Sequence, residues 1–125
     1  MLTIDCLDSD NAAAQRLGPF AHLRVEGGAL LSPEGRAVAR LEAGRWSAEG
    51  KIWATLKITP LAELQFESGE RRSAGYGPFN EVTLAAGNVE AGGRVLAQLT
   101  DDGLHDAHHA RWSALIITPS FSAHG

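Results

Sequence analysis

The most polar run in the chain is Asp101-Asp102-Gly103-Leu104-His105-Asp106-Ala107-His108-His109. Three of the five histidines and three of the six aspartates fall within these nine residues. Neutral imidazole and carboxylate are good ligands for zinc, nickel or iron. His105 and His108 are three residues apart, and His109 is four from His105. On a helical turn such spacings place two rings on one face. The candidate donors for a divalent transition metal are therefore Asp101, Asp102, His105, Asp106, His108 and His109. Asp101 or Asp102 beside a histidine would also suit general acid–base work. The segment lacks the glutamate of HExxH, and no other zinc spacing occurs. It reads as a loop or the end of a long hairpin, and a solvated polar loop accounts for the same composition.

No other stretch offers a reactive constellation. No G-x-S-x-G surrounds any serine. Cys6, the one cysteine, shares the first strand with apolar residues and reads as a buried, inert thiol. Gly27-Gly28 and Gly92-Gly93 lie at turns with no helix after them, which excludes a phosphate loop built on a helix N-terminus. Trp53 and Trp112 read as core aromatics. Trp46 and Tyr76, with the basic pair Arg71-Arg72, are the candidate ligand-contact residues.

Composition narrows the classes. A chain of 125 residues with 44% hydrophobic and 21% charged content fits one folded domain. Its net charge of −4, with no basic run, argues against nucleic-acid or anionic-membrane binding. A lone cysteine with no CxxC, no apolar run of membrane-spanning length and no signal-peptide pattern after Met1 predict a soluble protein of a reducing, cytoplasmic compartment. Nine arginines stand against two lysines, alongside many Ala and Gly, a bias typical of a GC-rich bacterial genome.

The elements that must position any site come from an internal repeat. Gly18-Pro19-Phe20 recurs as Gly77-Pro78-Phe79, and Ile58-Thr59-Pro60 as Ile117-Thr118-Pro119, both 59 residues on. Between them Gly28 matches Gly87, Leu30 matches Val89, Ala39 and Leu41 match Ala97 and Leu99, and Trp53 matches Trp112. Gly44 aligns with Gly103 if a residue lost in the preceding turn is restored. Residues 1–60 and 61–119 read as two tandem copies, followed by a tail at 120–125.

Within each copy the apolar period is two, as in half-buried antiparallel strands. About five strands per copy are expected: 2–8, 20–26, 28–32, 36–42 and 51–59, then 61–67, 79–85, 87–91, 94–100 and 111–118. In 51–59 the alternation puts Ile52, Ala54, Leu56 and Ile58 on one face and Trp53 on the other. One helical turn is allowed at Asp10–Arg16; its counterpart, 68–73, reads as loop. The predicted fold is a single all-β domain, a sandwich or barrel of about ten mostly antiparallel strands with a pseudo-two-fold axis. Trp112–Ile117 is apolar on both faces, which predicts burial on both sides, at the join between the copies or in a homodimer.

Three functions compete. The first is a non-catalytic binding or assembly module. The second is a small metal-dependent β-barrel enzyme using 101–109. The third is a small-ligand binder with a cavity between the sheets. Matched residues serve the scaffold, so segments where the copies diverge, 8–17 against 67–76 and 44–50 against 103–110, are where a site is expected, and it would be single.

Overall fold

The computed structural model describes residues 1–8, 14–59, 61–68, 73–100 and 103–120. These residues form sixteen strands. The first eight are β1 (Leu2–Leu7), β2 (Ala14–Phe20), β3 (Leu23–Glu26), β4 (Ala29–Leu31), β5 (Ala37–Glu42), β6 (Arg45–Ala48), β7 (Lys51–Trp53) and β8 (Thr55–Thr59). The second eight are β9 (Ala62–Glu67), β10 (Ser73–Phe79), β11 (Val82–Ala85), β12 (Asn88–Ala91), β13 (Arg94–Thr100), β14 (Gly103–Asp106), β15 (Arg111–Trp112) and β16 (Ala114–Pro119). No helix long and apolar enough to cross a membrane occurs among the described residues.

The strands make two eight-stranded antiparallel sheets stacked as a sandwich. The first sheet runs β15-β14-β13-β12-β11-β8-β1-β2 and the second β10-β9-β16-β3-β4-β5-β6-β7. Period-two patterning sets what each sheet buries. In β1, Leu2, Ile4 and Cys6 are fully buried while Thr3, Asp5 and Leu7 are half-exposed; in β9, Ala62, Leu64 and Phe66 point inward and Glu63 and Gln65 outward. The facing apolar rows form one core. Phe66 of the second sheet packs edge-on against Tyr76 at 5.7 Å and lies 5.5 Å from Trp112 of the first.

Each sheet draws on both ends of the chain. The chain leaves the second sheet for the first at Ala54, between β7 and β8, and makes the reverse crossing at Ser113, between β15 and β16. Ala54 N–H donates to Leu7 O at 3.0 Å, and Ser113 N–H to Glu67 O at 2.8 Å. As a result β3–β7 hydrogen-bond onto β16, from the far end of the sequence, while β11–β15 hydrogen-bond onto β8.

The crossings correct the expected strand count. The continuous strand predicted over 51–59 is bent at Ala54, so the alternation restarts. Trp53 is buried together with Leu56 and Ile58, and Ile52 is 65% exposed. The hairpin ends at 44–50 and 103–110 contain β6 and β14. The segments between the predicted strands contain β2 and β10, edge strands that pair with β1 and β9. Ala14–Arg16, assigned to a possible helical turn, belongs to β2; residues 10–13 of that turn lie outside the described residues. Pairing with β1, including an Arg16–Asp5 ion pair at 2.8 Å, outweighs the alanines' helix preference. Pro19 and Pro78 do not end these strands. They sit where the ladder register jumps, and an edge strand tolerates a missing N–H there.

Trp112–Ile117 also divides, at Ser113. β16 runs inside its sheet with β9 on one side and β3 on the other; Ala114, Leu115 and Ile117 are buried and Ile116 is half-buried.

Candidate functional site

The aspartate–histidine segment is shaped by the β14–β15 hairpin. β14 pairs with β13, setting Gln98 opposite His105 and Ala97 opposite Asp106, and its other edge sets His105 opposite Arg111. His105 is half-buried, and His108 and His109 are exposed on the connecting turn. Asp101 and Asp102 lie outside the described residues. Among the described residues, no three His, Cys, Asp or Glu side chains come together as a metal-binding group.

Asp106 organises this turn. Its Oδ1 accepts from His108 N–H at 2.8 Å and from Ala110 N–H at 2.9 Å, and its Oδ2 accepts from the Trp112 indole N–H at 2.9 Å. Its own backbone N–H donates to Ala110 O and its carbonyl accepts from His109 N–H. Asp106 is only 9% exposed. Burial pushes its carboxyl up, but the Trp112, Ala110 and His108 donors and the His108 charge outweigh it and hold the group below the usual carboxylate range. Both carboxylate oxygens are thus engaged by the fold.

The other singled-out residues are placed as follows. Trp46, on β6, is fully buried, and its indole N–H donates to Ala86 O at 2.8 Å, tying one sheet to a turn of the other. Tyr76, on edge strand β10, is partly buried against Phe66. Arg71 and Arg72 lie outside the described residues. Cys6 is fully buried, and burial, followed by the charges of Asp5 and Glu49, pushes its thiol up to about 11. A protonated, enclosed thiol is neither a nucleophile nor a metal ligand.

The sequence allowed a cavity between the sheets but did not place it; the structure has a cleft of about 1050 Å³ between the ends of the two sheets. One wall is made by the Gly27-Gly28 turn after β3 and by Leu41, Ala43 and Gly44 at the β5–β6 turn. The other is made by Gly87, Leu99, Thr100, Gly103, Leu104 and Trp112. Ser68, Ser113, Glu26 and Arg111 add polar groups. Leu99 N–H donates to Gly87 O at 2.6 Å, and Leu41 N–H to Gly28 O at 2.8 Å, so each hairpin turn is laced to the strand end beside it. That approach needs glycine at 87, where a Cβ would lie 2.5 Å from Leu99 O. Gly103, at φ +117°, leaves room for Arg111, whose Nε would be 3.4 Å from a Cβ there.

The strand registers show which residues border this end in each sheet. In the second sheet Leu41 pairs with Trp46, and Trp46 with Trp53. In the first sheet Leu99 pairs with Leu104, and Leu104 with Trp112. Leu104 therefore stands at the register position that Trp46 occupies in the other sheet. The hairpins β3–β4 and β11–β12 close at Glu26–Ala29 and Ala85–Asn88, so Gly27 occupies the position of Ala86, the acceptor of the Trp46 N–H. Leu104 has no indole to reach that turn, and Leu104 and Gly27 both line the cleft. The same register replaces the alignment of Gly44 with Gly103. The extra residue lies later, in the turn between Asp106 and Arg111, which is one longer than that between Ala48 and Ile52.

The chain matches no protein family, no curated protein and no solved structure.

Proposed function

We propose that this chain is a non-catalytic binding module, a tandem duplication of one eight-strand unit whose ligand seat is the cleft beside Leu104. The observation that carries the reading is the cleft itself: about 1050 Å³, with leucines inside and hydroxyls and an arginine around them. A concavity between two sheets that brings polar groups together around a few apolar side chains is a common setting for a small-ligand site. The duplication is supported by strand orders that coincide when each number is shifted by eight. It is supported too by ladder irregularities at equivalent places, between Leu30 and Leu31 and between Val89 and Glu90. At the corresponding register position of the other sheet the space is filled by Trp46. Binding is favoured over metal catalysis because Asp106, the buried member of the Asp/His set among the described residues, spends both oxygens on its own turn and on Trp112.

The test is a fragment screen against the ¹⁵N-labelled chain. Ligands should shift the amides of Gly27, Gly28, Gly44 and Gly103 and the Trp112 indole resonance, and leave the Trp46 indole unmoved. A screen that moves none of the cleft resonances refutes the reading.

A further inference from the structure

We infer that the ligand of this cleft is a flat, fused aromatic ring carrying an N–H donor, the chemistry of an indole. The inference rests on the cleft being the ligand seat and adds the identity of what sits in it. The chain contains its own template. In the filled half the Trp46 ring is fully enclosed, registered beside Trp53 on one side and Leu41 on the other, with its N–H on the Ala86 carbonyl at 2.8 Å. In the open half the corresponding walls remain: Trp112 stands for Trp53, Leu99 for Leu41, and the Gly27 turn for the Ala86 turn. All three line the cleft. Leu104 removes the internal ring and keeps an apolar floor. Trp112 is held in place by its hydrogen bond to Asp106 and by Phe66, so the small part of its ring that lines the cleft is a fixed aromatic contact. Gly27 presents a turn with no side chain, and even an added Cβ would meet nothing within 4 Å, so a ring can approach its backbone. An indole arriving from outside can thus recover the packing and the hydrogen bond that Trp46 makes from within.

A free small molecule and the tryptophan side chain of a peptide offer the same ring. The experiment titrates the ¹⁵N-labelled chain with indole, with the tripeptide Gly-Trp-Gly blocked at both ends, and with 1-benzothiophene, which has a closely similar shape but no N–H. Indole should shift Gly27 and the Trp112 indole resonance saturably. Benzothiophene should bind about 3- to 10-fold more weakly, the worth of one net hydrogen bond. Tighter binding of the tripeptide than of indole identifies a peptide source, and the reverse identifies a small molecule. Leu104→Trp, which rebuilds the internal ring, should abolish the indole shifts. Equal binding of indole and benzothiophene overturns the donor requirement. Fragments of other classes entering the cleft while indole does not overturns the inference and leaves the binding reading standing; an empty cleft under every probe removes both. The titrations of the parent chain decide the matter even if Leu104→Trp does not fold.

Discussion

Replacing Asp106 tests whether the histidine-rich turn is held by the fold. Asp106→Ala removes one acceptor from the Trp112 indole N–H and one shared by His108 N–H and Ala110 N–H. The indole is the costly loss. Trp112 is 8% exposed, and a buried donor left without a partner costs about 1–3 kcal/mol. His108 and Ala110 lie nearer solvent, and water can replace most of what their N–H groups lose, for about 0.5 kcal/mol each. The sum is about 2–4 kcal/mol, a large share of the 5–15 kcal/mol on which a domain of ordinary stability rests. Asp106→Asn keeps one carbonyl acceptor but turns an NH₂ toward donors, and should fall between parent and alanine. The dependence on pH has a definite sign. The folded carboxyl titrates below its ordinary value, which is near 4 in an unfolded chain. Its contribution is therefore complete above about pH 4 and is lost as the pH falls through the folded value. Urea unfolding followed by tryptophan fluorescence should show the gap between parent and Asp106→Asn widest at pH 6–7 and closing toward pH 3. A gap below about 0.5 kcal/mol for Asp106→Ala at pH 7, within the range of neutral surface changes, or one unchanged between pH 7 and pH 3, would refute the reasoning and return Asp106 to the pool of ligand candidates.

Two further outcomes test the scaffold. Gly87→Ala should cost more than Gly27→Ala in urea unfolding: a Cβ at 27 meets nothing within 4 Å and adds only the strain of a side chain at φ +61°, about 1–2 kcal/mol, while one at 87 lies 2.5 Å from Leu99 O; equal costs would show that the Gly87 turn and Leu99 can move apart freely. A peptide of residues 1–60 alone should show a disordered far-UV circular dichroism spectrum, since β3 has lost β16 and β8 has lost β11, and should gain strand signal on mixing with 61–125; a folded, monomeric 1–60 fragment would contradict the interlocked sheets.

Much of the fold was legible because a sheet advertises its buried face. Leu2, Ile4 and Cys6, or Ala62, Leu64 and Phe66, alternate without interruption, and every predicted strand overlaps an observed one. The failures fall where backbone geometry breaks the alternation silently. Nothing in Trp53-Ala54-Thr55 marks a crossing between sheets, yet the bend there moves Trp53 to the side of Leu56 and exposes Ile52. β2 and β10 were hidden by Gly18-Pro19 and Gly77-Pro78, residues that interrupt a central strand but are tolerated on an edge. Which strands joined which sheet could not be read at all, because β16–β3 and β8–β11 are pairings between distant segments and alternation says only that a strand has an inside.

The cleft was harder to see for a related reason. Aligning Gly44 with Gly103 puts the extra residue before β14 and sets Trp46 against His105, so Trp46 looks unpaired, in a segment where the repeat breaks down. The ladders put that residue after Asp106, which sets Trp46 against Leu104. The one-residue difference changes the physical question. Under the first alignment the histidines are a polar insertion awaiting a metal. Under the second, the insertion is a longer turn that Asp106 must tie down, and in doing so it fixes Trp112: the Trp53 indole in the shorter hairpin donates to the Ala48 carbonyl at 3.0 Å, whereas the Trp112 indole donates to the Asp106 carboxylate. Leu104 lines the cleft where Trp46 fills the corresponding register position of the other sheet, and the Asp106 carboxylate holds Trp112, one wall of that cleft. Leu104 and Asp106 lie two residues apart on β14 and both bear on Trp112, one by cross-strand pairing and the other by a hydrogen bond, so the two hairpins differ where they border this cleft.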